Sequence, residues 1–179
     1  IGGKTAEDFN ILEDGDEISL FESKMEMVPK NASFQLSTAL VLDMSGSMVE
    51  SGRLPDLLAA VNTFINTTES AQEIGIYLFD GREALTTLQD FTLDKAVLLD
   101  SVDGLNDYES VDSSTNLNGA IVRGLARLDV EKEEAEESEE EGEDVTFAGT
   151  LAVFTDGSDQ AGWVEDEAVI TAVQSSPHS

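Results

Sequence analysis

The residues best equipped for chemistry in this sequence are oxygen donors. Asp43, Ser45 and Ser47 stand in a D-x-S-x-S spacing, with Gly46 between the serines to let the backbone turn sharply. A second aspartate, Asp156, and a threonine, Thr115, lie far along the chain in comparable settings. Asp43 closes the apolar run Thr38 to Leu42 (T-A-L-V-L), Asp156 follows Thr150 to Thr155 (T-L-A-V-F-T), and Thr115 comes just before a helical pattern. If the two runs are strands of one parallel sheet, their carboxyl ends lie side by side and both carboxylates enter one crevice. Two like charges held close either raise one pKa or recruit a cation, and the hydroxyls of Ser45, Ser47 and Thr115 make a cation the simpler outcome. Other chemistries lack material. The chain has no cysteine, which removes disulfides, thiolate zinc sites and cysteine nucleophiles together. Its single histidine, His178, is among the last few residues, where chain ends usually fray, so an imidazole ligand or base is not expected.

Such donors need a sheet to gather them. Thr38 to Leu42, Ile74 to Phe79 (I-G-I-Y-L-F) and Thr150 to Thr155 are nearly continuous apolar runs, the pattern of strands covered on both faces. Leu54, Leu57, Leu58, Val61, Phe64 and Ile65 recur at helical spacing, as do Leu117, Ala120, Ile121, Gly124, Leu125 and Leu128. Shorter helices are expected over Leu93 to Val102 and Trp163 to Val173. Asp80-Gly81 is a turn, across which Ala84 to Phe91 pairs back as a hairpin at the sheet edge. Alternating strands and helices predict an α/β domain over residues 37–179, with a doubly wound, mostly parallel sheet. Residues 1–36 differ. Phe9 and Ile11 alternate with polar residues, Glu13-Asp14-Gly15-Asp16 is a turn signal, and Ile18, Leu20 and Phe21 follow, which predicts an N-terminal β-hairpin extension or the tail of a preceding β-domain.

The charge balance narrows the partners. Among 179 residues, 38 are acidic and 9 basic, a formal net charge of −29, so phosphate backbones are repelled and nucleic acid is excluded as an expected partner. Between Asp129 and Asp144, 11 of 16 residues are acidic, which predicts a disordered surface insertion over residues 129–144. The remainder still carries −19, from 27 acidic and 8 basic residues, so the domain is acidic in its own right. No apolar stretch has the length to span a bilayer, and no direct membrane insertion is expected of this piece.

Three short segments carry a family resemblance. Asp43-Met44-Ser45-Gly46-Ser47-Met48 resembles the D-x-S-x-S signature of the metal-ion-dependent adhesion site of von Willebrand factor A (VWA) domains. Ser114-Thr115-Asn116-Leu117 resembles the family's T-N-L segment, and Phe154-Thr155-Asp156-Gly157 its T-D-G element. All three occur in family order within Phe34 to Val173, a far more specific match than any one motif. The resemblance implies a Rossmann-like VWA fold. It implies that Ser45, Ser47 and Thr115 coordinate a divalent cation, Mg²⁺ or else Mn²⁺ or Ca²⁺, with Asp43 and Asp156 bound directly or through water. It places Met48, Asn116 and Gly157 beside the site, Met48 as rim or packing residue and the other two as loop shapers. Two departures stand out: Ser113-Ser114 occupies positions where many members have glycines, and members usually continue with another strand after the helix that ends near Val173.

The expected function follows from the resemblance: a non-catalytic module that binds a protein partner's Asp or Glu carboxylate through the cation, in a secreted or cell-surface protein of several domains. Two other readings remain at this stage. Asp43 with Mg²⁺ could serve phosphoryl transfer, although such phosphatases usually want a second aspartate where Ser45 stands, or the domain could be a scaffold whose site is empty. Singly, a Ser-Gly-Ser turn and a threonine N-cap would account for these residues; their coincidence at three element ends is what favours the cation. Asp103, Asp107 and Asp112 read as a polar loop rather than an extra cation site.

Overall fold

A computed structural model describes residues 12–13, 16–17, 31–137 and 143–179. In chain order the elements are β1 (Leu12–Glu13), β2 (Asp16–Glu17), β3 (Asn31–Asp43), α1 (Gly46–Val49), α2 (Leu54–Thr67), β4 (Gln72–Phe79), β5 (Thr86–Thr92), α3 (Lys95–Asp103), α4 (Leu117–Glu137), β6 (Glu143–Phe154) and α5 (Asp166–Ser175). β1 and β2 pair antiparallel, Leu12 with Glu17 and Glu13 with Asp16, while Asp14 and Gly15 of the expected turn lie outside the described residues. The other turn-flanking residues of the expected N-terminal hairpin, Phe9, Ile11, Ile18, Leu20 and Phe21, lie outside the described residues.

The main sheet has the order β5-β4-β3-β6. β3 is central, parallel to β4 from Leu36↔Gln72 to Asp43↔Phe79 and parallel to β6 from Asn31↔Glu143 to Leu42↔Phe154. β5 closes one edge antiparallel to β4, as the hairpin reading predicts. Alternate residues of the central strands serve two cores. Leu40, Leu42, Ile74, Ile76 and Leu78 face α2 and α3, meeting Leu57, Val61, Ile65, Leu98 and Val102; Ala39, Val41, Tyr77 and Phe79 face α4, meeting Ala120 and Leu128. Gly124 lets α4 lie close to the sheet, since a Cβ there would meet Leu151 Cδ1 at 2.5 Å. Helices on both faces make the sheet doubly wound, and α/β architecture with a mostly parallel sheet is what the chain adopts.

Several boundaries differ from the sequence reading, each for a physical reason. The expected domain boundary after residue 36 falls inside β3, whose first residues interleave Asn31, Ser33 and Gln35 with Ala32 and Phe34 and form no continuous apolar run, yet pair with β6. The expected disordered insertion at residues 129–144 is helical through Glu137 and extended from Glu143. Glutamate, lysine and alanine are strong helix formers, a Lys132–Glu136 pair adds an i,i+4 contact, and Leu128 and Ala135 anchor the helix by burial. The last helix starts at Asp166, so Trp163 belongs to the loop before it. α3 begins at Lys95 because Asp94 caps it, accepting from the N–H groups of Ala96 and Val97, a cap worth about 1 kcal/mol.

The chain end is also better held than expected. Ser179 N–H donates to the Gly149 carbonyl at 3.1 Å and its own carbonyl accepts from Leu151 N–H at 2.7 Å, a parallel bridge to the outer edge of β6. The His178 side chain is 1% exposed, packs edge-on against Phe147 and lies 3.0 Å from Asp129 through Nε2. It is a packing residue between β6 and Asp129 of α4.

Candidate functional site

β3 and β6 are neighbours at the point where strand order reverses, and the loops at their carboxyl ends share one crevice. Asp43 is fully buried there. A buried carboxylate must be hydrogen-bonded, and this one is. Its Oδ1 accepts from the Ser45 N–H at 2.9 Å and its Oδ2 from the Thr155 hydroxyl at 2.7 Å, joining loop residues 112 apart. The Thr155 oxygen in turn accepts from Gly157 N–H at 3.1 Å, which shapes the start of the loop after β6.

The serine hydroxyls continue the oxygen set. Ser45 Oγ and Ser47 Oγ are 3.1 Å apart, and Ser47 Oγ donates to Asp156 Oδ1 at 3.0 Å. Asp156 Oδ2 accepts from Arg53 Nη1, in an ion pair with the residue that precedes α2. Ser45 is wholly buried and Thr115 is 1% exposed. Thr115 is brought in by a web of main-chain bonds: Gly46 N–H donates to Ser113 O at 3.2 Å, Asn116 N–H donates to Asp80 O at 2.9 Å, and the Thr115 carbonyl accepts from Gln160 N–H (2.8 Å) and Ala161 N–H (3.1 Å). The loops carrying the three motifs are thus directly tied to one another.

Gly46 matters in a different way from the turn predicted for it. It lies inside α1, and a Cβ on it would meet Ser113 Cβ at 2.9 Å, so the glycine permits the close approach of two loops. Ser113 is therefore the surface against which the serine loop is laid. Gly81 does the same for the next segment, since its Cβ would meet Asp112 Oδ1 at 2.4 Å and Ser114 Cβ at 2.6 Å.

Asp43, Ser45, Ser47 and Asp156 are joined by the contacts above, and Thr115 is on the loop bonded to Gly46. The three neighbouring residues divide. Met48 is 6% exposed and packs in the core with Leu54 and Leu58, the packing alternative of its two readings. Asn116 is buried, accepting from Gly119 N–H at 3.0 Å and donating to Arg82 O at 2.9 Å, so it shapes the loop and caps α4. Gly157 is exposed, and a side chain there would meet nothing within 4 Å. Asp103, Asp107 and Asp112 do not assemble: among the described residues no group of three or more His, Asp or Glu is placed to hold a metal ion. Any cation here would rest on hydroxyls as much as carboxylates.

Four residues escaped the sequence reading. Thr155 was visible only as the letter before Asp156, and Arg53 gave no signal, since its partner is 103 positions away. Asp80, read as part of a turn, is a third aspartate at a strand's carboxyl end, buried and gripped by Arg82 through the backbone N–H, Nε and Nη2. That grip raises the Arg82 pKa above its ordinary value. Trp163, the chain's only tryptophan, is 59% exposed while its indole N–H donates to Gly81 O at 3.0 Å, pinning the loop after β6 over the same end of the sheet.

Comparison with known proteins agrees with this architecture. A family model for the von Willebrand factor type A domain matches residues 38–158, and the chain belongs to that family. Similar solved structures include a von Willebrand factor type A protein from Catenulispora acidiphila (15% identity, TM-score 0.52, covering 78% of this chain and 30% of that one). Others are the PilB minor pilin from Streptococcus sanguinis (15%, 0.50, 73% and 31%) and the proximal thread matrix protein 1 of the mussel byssus (12%, 0.52, 82% and 37%). The chain therefore spans about a third of the length of each. A search of curated proteins finds no match.

Proposed function

We propose that this domain is a divalent-cation-dependent protein-binding module of adhesion type. The observation that carries the reading is the oxygen set of Asp43, Ser45, Ser47 and Asp156, drawn from two loops 109 residues apart and linked by hydrogen bonds of 2.7–3.1 Å, with the buried Thr115 on the third loop. All are hard oxygen donors with only two carboxylates, a set that suits Mg²⁺, Mn²⁺ or Ca²⁺. Ser45, Ser47 and Thr115 would hold the ion by their hydroxyls, with Asp43 and Asp156 orienting those groups or bound directly. A bound ion supplies a Lewis-acidic position for an incoming carboxylate. The chain's own residues keep the donors converged: Thr155 fixes Asp43, and the Gly46–Ser113 bond fixes the spacing of the loops.

The partner class is a protein presenting Asp or Glu. PilB is a minor pilin, and a surface or extracellular setting for this domain, within a longer chain of several domains, fits that likeness. Among the described residues no helix is long and apolar enough to cross a membrane. Phosphoryl transfer would require Asp43 open to substrate; it is wholly buried, with both oxygens engaged.

Calorimetric titration of chelator-stripped protein with Mg²⁺, Mn²⁺ and Ca²⁺ tests the reading, with salt high enough to screen diffuse binding to the acidic surface. One saturable site, lost in both Asp43→Ala and Thr115→Ala while circular dichroism shows both variants folded, is the expected result. Heat that neither substitution changes would mean that the loops form a scaffold only.

A further inference from the structure

Nine basic residues serve 38 acidic ones in this chain, and one of them stands in the site. Arg53 immediately precedes α2, with its side chain 58% exposed, and its guanidinium reaches Asp156, whose side chain is 14% exposed. The two carboxylate oxygens of Asp156 are thereby divided. Oδ1 takes the Ser47 hydroxyl, on the side of the other oxygen donors, and Oδ2 takes the protein's own cation.

We propose that Arg53 is the resident counter-cation of this site: it neutralises Asp156 while no divalent ion is bound, opposes the entry of that ion, and so sets the concentration at which the site fills. The proposal rests on the cation-binding reading above. Its physical basis is simple. Guanidinium stays protonated at every working pH, so its charge is a fixed opponent of a second cation on the same carboxylate. An ion pair with one partner more than half exposed is weak and screened, so it can be broken by a competitor of higher charge. Without Arg53, a domain of net charge −29 would hold Asp156 as one more uncompensated anion and take up divalent ions readily. With Arg53, filling requires an exchange of one cation for another. The displaced guanidinium would remain at the solvent-facing side of the site, since its side chain is already largely exposed.

The test uses the metal alone as probe. Chelator-stripped wild type, Arg53→Gln, Arg53→Lys and Arg123→Gln are titrated with Mn²⁺ and Mg²⁺ at one ionic strength. Arg123 pairs with the exposed Glu83 and controls for the loss of one positive charge elsewhere. Removing a unit charge roughly 6 Å from a divalent ion in a water-like dielectric predicts that Arg53→Gln binds about tenfold tighter. Arg53→Lys, which keeps the charge, and Arg123→Gln should both stay near wild type. Equal or weaker binding by Arg53→Gln at a site that still saturates overturns the proposal and leaves the cation site standing. Equal tightening in Arg123→Gln reduces the effect to net charge and overturns it as well. No saturable binding in any protein sinks the cation site and the proposal together. A metal-free measurement checks the pair itself: the Arg53 guanidinium resonances of stripped protein should move in Asp156→Asn, and a spectrum indifferent to that substitution overturns the proposal whatever the calorimetry gives.

Discussion

Asp43 has no contact with solvent, yet both of its oxygens are satisfied by groups that belong to the site. The Thr155 hydroxyl is the more informative of the two partners, because it can be removed with little change of shape. Thr155→Val leaves Asp43 Oδ2 without its donor and Gly157 N–H without its acceptor. A hydrogen bond to a buried charge contributes about 1.5–3 kcal/mol, and urea denaturation of the variant should show a loss of that size. A loss below about 0.5 kcal/mol would mean that Asp43 finds another donor. The donor types were legible in the sequence because aspartate, serine and threonine at element ends announce themselves. Thr155 and Arg53 were not, because their roles come from partners 112 and 103 positions away, and one sequence holds no record of such proximity.

Element boundaries show the same division between what is local and what is not. The apolar cores of β3, β4 and β6 and the stripes of α2 and α4 were readable from periodicity, while the mixed start of β3, where polar and apolar residues interleave, and the acidic end of α4 were not. Those two stretches meet. Gln35 of β3 donates to Glu73 of β4 at 2.8 Å and to Glu131 of α4 at 3.1 Å, which holds two carboxyl groups close together. Burial first, then the charges of Glu73, Glu134 and Asp90, raise the Glu131 pKa from 4.5 to about 7. The folded state therefore binds this proton more tightly than the unfolded chain does. Its contribution to stability is complete below the unfolded value and disappears as pH rises through about 7. Wild type should thus lose melting temperature between about pH 5 and pH 8 relative to Glu131→Gln, which has nothing to titrate there. Parallel pH profiles for the two proteins would show that the two carboxyl groups are apart in solution.

For the molecule as a whole, charge and topology set separate limits. A net charge of −29 on a domain of this size opposes compaction, and added salt screens that repulsion. The melting temperature should therefore rise as NaCl goes from about 0.05 M to about 1 M, where the screening length falls to roughly 3 Å. A flat or falling curve would mean that the Arg82–Asp80, Arg127–Asp90 and Arg53–Asp156 ion pairs outweigh the repulsion. Topology matters through β3, which runs from Asn31 at one pole of the sheet to Asp43 at the other, a span of about 40 Å at ~3.3 Å per residue. The preceding chain joins at Asn31, and a partner would dock at the opposite end. Tension between a partner so docked and the preceding chain would be directed along β3 itself. Both flanking ladders, to β4 and to β6, would be loaded lengthwise, so their hydrogen bonds must fail together in shear instead of peeling apart one after another. The strand that places the aspartate would then also be the tendon that transmits force from it.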